Sequence, residues 1–285
     1  MRYIPYQVFS AFSPILRLLQ LCNPIDTLNT KSIFIMKIKQ LLCLLALSSP
    51  LTANADFLSI SAGGGAWKAS PSGDFKKTTD TTAPVNVNDD LFWDEETQGY
   101  AFITFEHFVP IIPNARLMMT KIDQSGSGIA NFTFEGEQYE GDVSNNFSID
   151  ALDLLLYYEV LDNIVSLDLG LNIRNLKVDY TITSTGSSST PARSTSDSMD
   201  ETVPMLYVLV GGSPWPNLII SGEMSYLAYS GSSISDITAK IAYTTSFFVG
   251  FEAGYRTQTY EFDDISDTDA KLDFDGVFAG AYLKF

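Results

Sequence analysis

The stretch Ile164-Val-Ser-Leu-Asp-Leu-Gly-Leu-Asn-Ile-Arg174 decides the fold. In it Val165, Leu167, Leu169, Leu171 and Ile173 alternate with Ser166, Asp168, Gly170, Asn172 and Arg174. Side chains of a strand point to opposite faces in turn, so one face here is wholly apolar and the other small, polar or charged. Ile237, Ala239, Ile241 and Tyr243 repeat the pattern against Asp236, Thr238, Lys240 and Thr244, as do Val249, Phe251, Ala253 and Tyr255 against Gly250, Glu252, Gly254 and Arg256. Working outward, the alternation predicts ten strands, at 56-67, 98-109, 115-124, 147-158, 164-182, 202-211, 218-229, 235-244, 247-260 and 272-285. After Arg174 the apolar parity moves to Leu176, Val178, Tyr180 and Ile182, which calls for a bulge or for a hairpin continuing beyond the apolar zone.

Period two alone does not separate a soluble sandwich from a membrane barrel; the connections do. Odd-numbered connections are mostly long and polar, the first holding Asp74, Asp80, Asp89, Asp90, Asp94, Glu95 and Glu96, the third Ser184-Thr-Gly-Ser-Ser-Ser-Thr190. Even-numbered ones are short, at 110-114, 159-163, 212-217 and 245-246. Long and short connections in alternation, with both termini on the short side, are the plan of a transmembrane up-and-down antiparallel β-barrel of the outer membrane. Strands of about eleven residues tilted by about 40° span the roughly 25 Å apolar band of such a barrel. The reading is therefore all-β with about ten strands, eight being the alternative if the last loops are misread.

The leading residues read as targeting. Met36-Lys-Ile-Lys-Gln opens a basic segment, Leu41-Leu-Cys-Leu-Leu-Ala-Leu47 is a short apolar run, and Ala53-Asn-Ala55 supplies a cleavage pattern, so 36-55 is expected to be a cleavable signal peptide. Residues 1-35 read as a non-native upstream extension from a mis-start, leaving 56-285 as the barrel. The 285-residue chain carries 17 basic and 34 acidic side chains; residues 56-285 keep 12 and 33 of them, a net charge of -21, and neither cysteine. Such acidity excludes nucleic acid, whose phosphates are met by clustered Lys and Arg. No apolar run of eighteen residues occurs after Asp56, so membrane residence would be through strands.

The last strand, Gly276-Val-Phe-Ala-Gly-Ala-Tyr-Leu-Lys-Phe285, resembles the terminal signature by which outer-membrane barrels reach the barrel assembly machinery, with Phe285 as the assembly signal. Tyr282 lies on the other parity, so Leu283 stands where a second aromatic is usual. Together with Asp56-Phe-Leu-Ser-Ile-Ser-Ala-Gly-Gly-Gly-Ala-Trp67, this ending resembles the Gram-negative family of outer-membrane proteins named for a Gly-Gly pattern and, more distantly, small barrels of the OmpW type. The resemblance implies a barrel and carries no activity.

Catalysis finds no support. The single histidine, His107, has Phe105 two residues before it and Val109 two after, where omptin-like proteases need Asp and barrel lipases need Ser, and it lies next to a short turn. Without a second histidine, base-dependent schemes lack their general base. Gly63-Gly-Gly65 lacks the Lys-Ser/Thr of a phosphate loop, and its glycines are read as strand bends or room for a neighbour. Asp263, Asp264, Asp267 and Asp269 belong to a solvated acidic surface, with weak coordination of Ca²⁺ or Mg²⁺ as the alternative; Asp273-Phe-Asp-Gly276 fails as an EF-hand because Lys271 and Tyr282 stand at its first and twelfth places.

The inward faces offer Asp168, Asn172, Arg174, Glu223, Lys240, Glu252, Arg256 and Gln258 as a polar lumen network, with Lys240 and Glu252 close enough to pair. Unpaired charges there would be costly, and a barrel of about ten strands has little spare room, so a salt-bridged plug is favoured over a narrow path. The expected function is that of a non-enzymatic outer-membrane barrel with acidic extracellular loops and a structural or surface-interaction role. The alternative is a narrow pore for small solutes. No cofactor is expected; the expected partners are outer-membrane lipid and lipopolysaccharide, the assembly machinery, and divalent cations at the loops.

Overall fold

The computed structural model describes residues 58-285 apart from 163 and 266; the expected signal peptide and upstream extension lie outside the described residues. The elements are β1 (Leu58–Lys77), β2 (Val85–Asn86), β3 (Glu96–His107), β4 (Asn114–Phe134), β5 (Glu137–Asp162), β6 (Val165–Ser184), β7 (Arg193–Trp215), β8 (Leu218–Tyr229), β9 (Ser232–Thr244), β10 (Val249–Ile265) and β11 (Thr268–Lys284). Each long strand pairs antiparallel with the next, and β11 returns to β1 in a register running from Ser61↔Lys284 to Lys77↔Thr268. The two-residue β2 pairs with β1 alone, so ten of the eleven strands close the ring. Closure leaves no unpaired edge, which is what lets a sheet sit in a medium that offers no hydrogen bonds.

One end of the ring carries the short connections 108-113, 216-217 and 245-248 together with both ends of the described chain. At the other end the β4–β5 and β8–β9 connections are two-residue hairpin turns where long polar connections were expected, whereas 78-95 and 185-192 are longer. β4 and β5 turn through Glu135 (φ 55°) and Gly136 (φ 71°), β8 and β9 through Ser230 (φ 50°) and Gly231 (φ 90°). Two left-handed residues in succession match the twist of the flanking strands, which is why the strands persist to the tip.

The parity change after Arg174 is not a bulge. β6 and β7 keep one register from Val165↔Gly212 to Ser184↔Arg193, so Leu176 and Ile182 point inward like Asn172 and Arg174. What changes is the environment on each side of the wall. On the short-turn side of this level the outward face is apolar, with Leu117, Met119, Leu152, Leu171, Leu206, Ile241, Phe251 and Val277 exposed. On the hairpin side the outward face is polar: Lys121, Asp150, Lys177 and Asp200 form one cross-strand row, and Ser127, Ser144, Thr183 and Ser194 another. An exposed apolar surface of this extent is foreign to a water-soluble monomer and suits lipid. Exposed aromatics gather at its short-turn margin, among them Phe105, Phe108, Tyr158, Trp215, Phe248 and Phe285, as expected where ring bodies meet lipid and their edges meet water.

Inside, the hairpin half is filled by a hydrophobic core that includes Trp67, Ile122, Ile149, Leu176, Met205, Tyr260 and Phe274. The segment after β1 folds into this end and buries Val85, Val87, Leu91 and Trp93. Trp93 packs on Phe147 (ring centroids 4.8 Å apart) and Phe274 (6.5 Å). Asn145 holds the segment in place: its Oδ1 accepts Trp93 Nε1–H at 2.6 Å and its Nδ2 donates to the Leu91 carbonyl at 2.7 Å. The fit depends on glycine, because a Cβ on Gly126 would lie 1.8 Å from the Leu91 carbonyl oxygen.

Candidate functional site

The lumen between this core and the short turns holds the polar side chains that the alternation turns inward. They form tiers. In the upper tier Asp236 of β9 accepts from Arg174 Nη2 (2.5 Å), Arg256 Nη2 (2.7 Å) and Gln258 Nε2 (2.7 Å). Arg174 also makes a two-bond fork with Asp153 of β5, at 2.7 and 3.0 Å, while Asn172 Nδ2 donates to the same carboxylate at 2.7 Å. Arg256 reaches Thr120 on the opposite wall at 3.1 Å and lies 5.2 Å from the Trp67 ring centroid, tying the charged layer to the apolar core above.

The lower tier centres on Glu223 of β8, which pairs with Arg116 (2.9 Å) and Lys240 (3.8 Å) and accepts from Tyr207 Oη (2.8 Å). Lys240 reaches Glu252 at 3.3 Å, and Tyr100 Oη donates to Glu252 at 2.8 Å. Tyr100 gets there by crossing β1 and β11 over two glycines: a Cβ on Gly65 would lie 2.6 Å, and one on Gly280 2.3 Å, from its hydroxyl. This is the room for a neighbour that the glycine run suggested. A Gly280→Val substitution should therefore displace Tyr100 from Glu252 and cost about 1–3 kcal/mol, seen as a lower urea midpoint with an unchanged denaturant slope.

The expected set thus divides three ways. Asn172, Arg174, Arg256 and Gln258 meet in the upper tier, and Glu223, Lys240 and Glu252 in the lower one. Asp168 joins neither: it is 8% exposed, sits nearer the short turns, and forms no ion pair or hydrogen bond among the described residues. The expected lumen set left out Asp153, Arg116, Tyr100 and Tyr207, and also Asp236, which the alternation had placed on the polar face of its strand. Asp153 between Leu152 and Leu154, and Arg116 before Leu117, carry the same signal as Asp168, a charge alternating with apolar neighbours. Between the tiers lies a cavity of about 30 Å³, bordered by Arg116, Met118, Asn172, Arg174, Ser225 and Thr238. It admits a few water molecules at most.

At the hairpin end Glu140 accepts from Thr190 Oγ1 (2.6 Å) and Ser187 Oγ (2.9 Å), which holds its carboxyl below the ordinary glutamate range. The latch on the 185-192 connection is complete while Glu140 is ionised and is lost as pH falls through that lowered value. Asp263, Asp264 and Asp269 stand on the ends of β10 and β11 with Asp267 in the turn between them, and Asp269 accepts from the Asp264 backbone N–H at 3.1 Å. Among the described residues no three acidic, histidine or cysteine side chains converge as a metal site. His107, at the end of β3, accepts the Val109 N–H on Nδ1 at 3.2 Å. Phe285 exchanges backbone hydrogen bonds with Ile60 at 2.9 and 3.0 Å, extending the seam between β11 and β1 to the end of the chain.

No protein-family description matches the chain, and no curated protein does. Several solved structures are similar to the chain at low identity. The attachment invasion locus protein Ail of Yersinia pestis is 12% identical over 80% of this chain and 98% of its own, with a TM-score of 0.32. The toluene transporter TodX of Pseudomonas putida is 8% identical over 85% and 93%, TM-score 0.33. The transport unit of the autotransporter AIDA-I from Escherichia coli is 8% identical over 86% and 96%, TM-score 0.38. At these values the fold assignment rests on the ring's own pairing.

Proposed function

We propose that the protein is a non-conducting barrel of the Gram-negative outer membrane whose working surface is the polar hairpin crown. The observation that carries this reading is the sealed lumen: an apolar core capped by residues 85-93 lies in series with two tiers of ion pairs. A solute path would have to break both, and the charged tiers alone resist opening because each exposed partner would leave a buried charge unpaired. The apolar belt supports a wall set in lipid. The short turns then face the periplasm and the long hairpins the outside, the usual orientation of such barrels.

The crown is built for contact with water and polar ligands. Its outward faces are rows of Ser, Thr, Asn and Asp on paired strands, and Glu140 fastens the 185-192 connection between β6 and β7. That architecture supports a role in surface interaction or in maintaining the membrane.

Reconstituted in planar bilayers, the protein is expected to stay electrically silent across ±100 mV (a range chosen on the order of physiological potentials). Protease added to intact cells should nick 185-192 while leaving the barrel whole. Steady openings would overturn the closed reading, and nicking only after the periplasm is opened would reverse the orientation.

A further inference from the structure

The short-turn mouth carries a charge arrangement that the plug does not use. Four carboxylates face it: Glu106 from β3, Glu159 and Asp162 from β5, and Asp168 from β6. Glu159 and Asp168 are direct cross-strand neighbours, a like-charge pairing that destabilises a sheet. Asp168 is 92% removed from water, and Glu106, Asp162 and Glu223 act on it as repulsive charges and Arg116 as an attractive one. Arg116 is committed to Glu223 at 2.9 Å. A second observation comes from a different strand. Ser221 of β8, paired with Gly211 toward the mouth, is 6% exposed and its Oγ has no hydrogen-bond partner, although a hydroxyl so buried ordinarily has one.

We propose that this mouth is a receptor for an organic polycation entering from the short-turn side, with Asp168, Glu159 and Glu106 as ammonium or guanidinium acceptors and Ser221 as a neutral one. The chemistry of the occupant follows from spacing. The carboxylates do not converge as a set of three, so they cannot share one small metal ion, whereas a chain bearing two or more nitrogen cations can meet acceptors on separate strands. Ser59 on β1, Ser166 on β6 and Gly211 on β7 stand among the inward positions there, with Leu209 of β7 as the cross-strand partner of Asp168. Tyr157 Oη donates to Glu106 at 2.9 Å and fixes that carboxylate in place, so one acceptor is already oriented. The site lies below both tiers and does not depend on whether the lumen conducts.

The nitrogen cations could belong to a free polyamine or to a basic peptide segment; the two share the recognition chemistry and differ in the test. The full barrel, purified in an uncharged detergent, is titrated with spermidine and separately with trilysine, by calorimetry at low salt. Saturable binding is expected, weakened about tenfold by Asp168→Asn, roughly the 1.4 kcal/mol of one lost charge-assisted contact. Glu159→Gln should act in the same direction. Asp263→Asn and Asp267→Asn remove the same charge at the opposite end and should leave binding unchanged. Tighter binding of spermidine marks a free amine as the occupant, and tighter binding of trilysine a peptide. Absence of saturable binding in the parent protein would overturn the proposal. Equal weakening by the crown variants would do so too, since it would mean general attraction to an acidic protein. Folding of each variant is checked by its heat-dependent gel mobility; should Asp168→Asn fail to fold, Glu159→Gln and Ser221→Ala carry the same comparison.

Discussion

Replacing Arg174 by leucine is expected to cost the folded barrel about 3–5 kcal/mol, the usual result of removing one partner from a buried ion network. Arg174 is 1% exposed and, among the described residues, is the one side chain that bridges the β5 side, through Asp153, and the β9 side, through Asp236. The two carboxylates fare differently without it. Asp236 keeps Arg256 and Gln258, whereas Asp153 keeps only the amide of Asn172. The large loss therefore belongs to Asp153, and the double variant Arg174→Leu/Asp153→Leu should recover most of it, because exchanging a whole buried pair for apolar groups is often neutral. Urea unfolding followed by tryptophan fluorescence reads both. A single variant as stable as the parent, or a double variant no better than the single, would refute this account of the tier.

The second large effect is expected at Trp93. Its indole lies 5% exposed between Phe147 and Phe274, and its N–H is the donor that Asn145 accepts. Trp93→Ala should cost about 3–5 kcal/mol, from lost burial and the cavity left behind, and part of the loss should appear locally. Amide hydrogens at 85-95 should exchange far faster, while those of β5 and β6 near the ion tiers stay protected. The variant should still be silent in bilayers, because the tiers below it are intact. Conductance after this one change would mean that the cap alone seals the lumen.

Both expectations draw on a level of detail that was only partly legible in the chain. The ten ring strands fall where the alternation placed them, since period two is a local signal that each segment carries by itself. Their outer ends were misjudged for a physical reason. From Leu176 to Ile182 the moved parity left two readings open, a bulge or a hairpin continuing beyond the apolar zone; the unbroken register selects the second, with the surroundings exchanging an apolar outer face for a polar one. A parity rule that assumes one environment cannot see that exchange. The lumen set was half legible. Lys240 and Glu252 were visible as neighbours because adjacent strands supply them, whereas Arg174 and Asp236 meet across the ring, 62 residues apart, and nothing local announces such a contact. Asp168 was legible as an inward charge, but its isolation was not, because isolation depends on what every other strand fails to bring.

The seam between β1 and β11 has a consequence for synthesis. A chain that stops before residue 268 has every other strand of the ring and still presents two bare rails, one on β1 and one on β10, where fifteen Cα partners on each side have no mate. In water such rails could be wetted; within a hydrocarbon layer each unmatched amide is a standing penalty of several kcal/mol. Partial products therefore gain nothing by being nearly complete. The seventeen residues of β11 act as the tooth that locks a zip, and premature termination late in the message is expected to be as damaging as termination near its start.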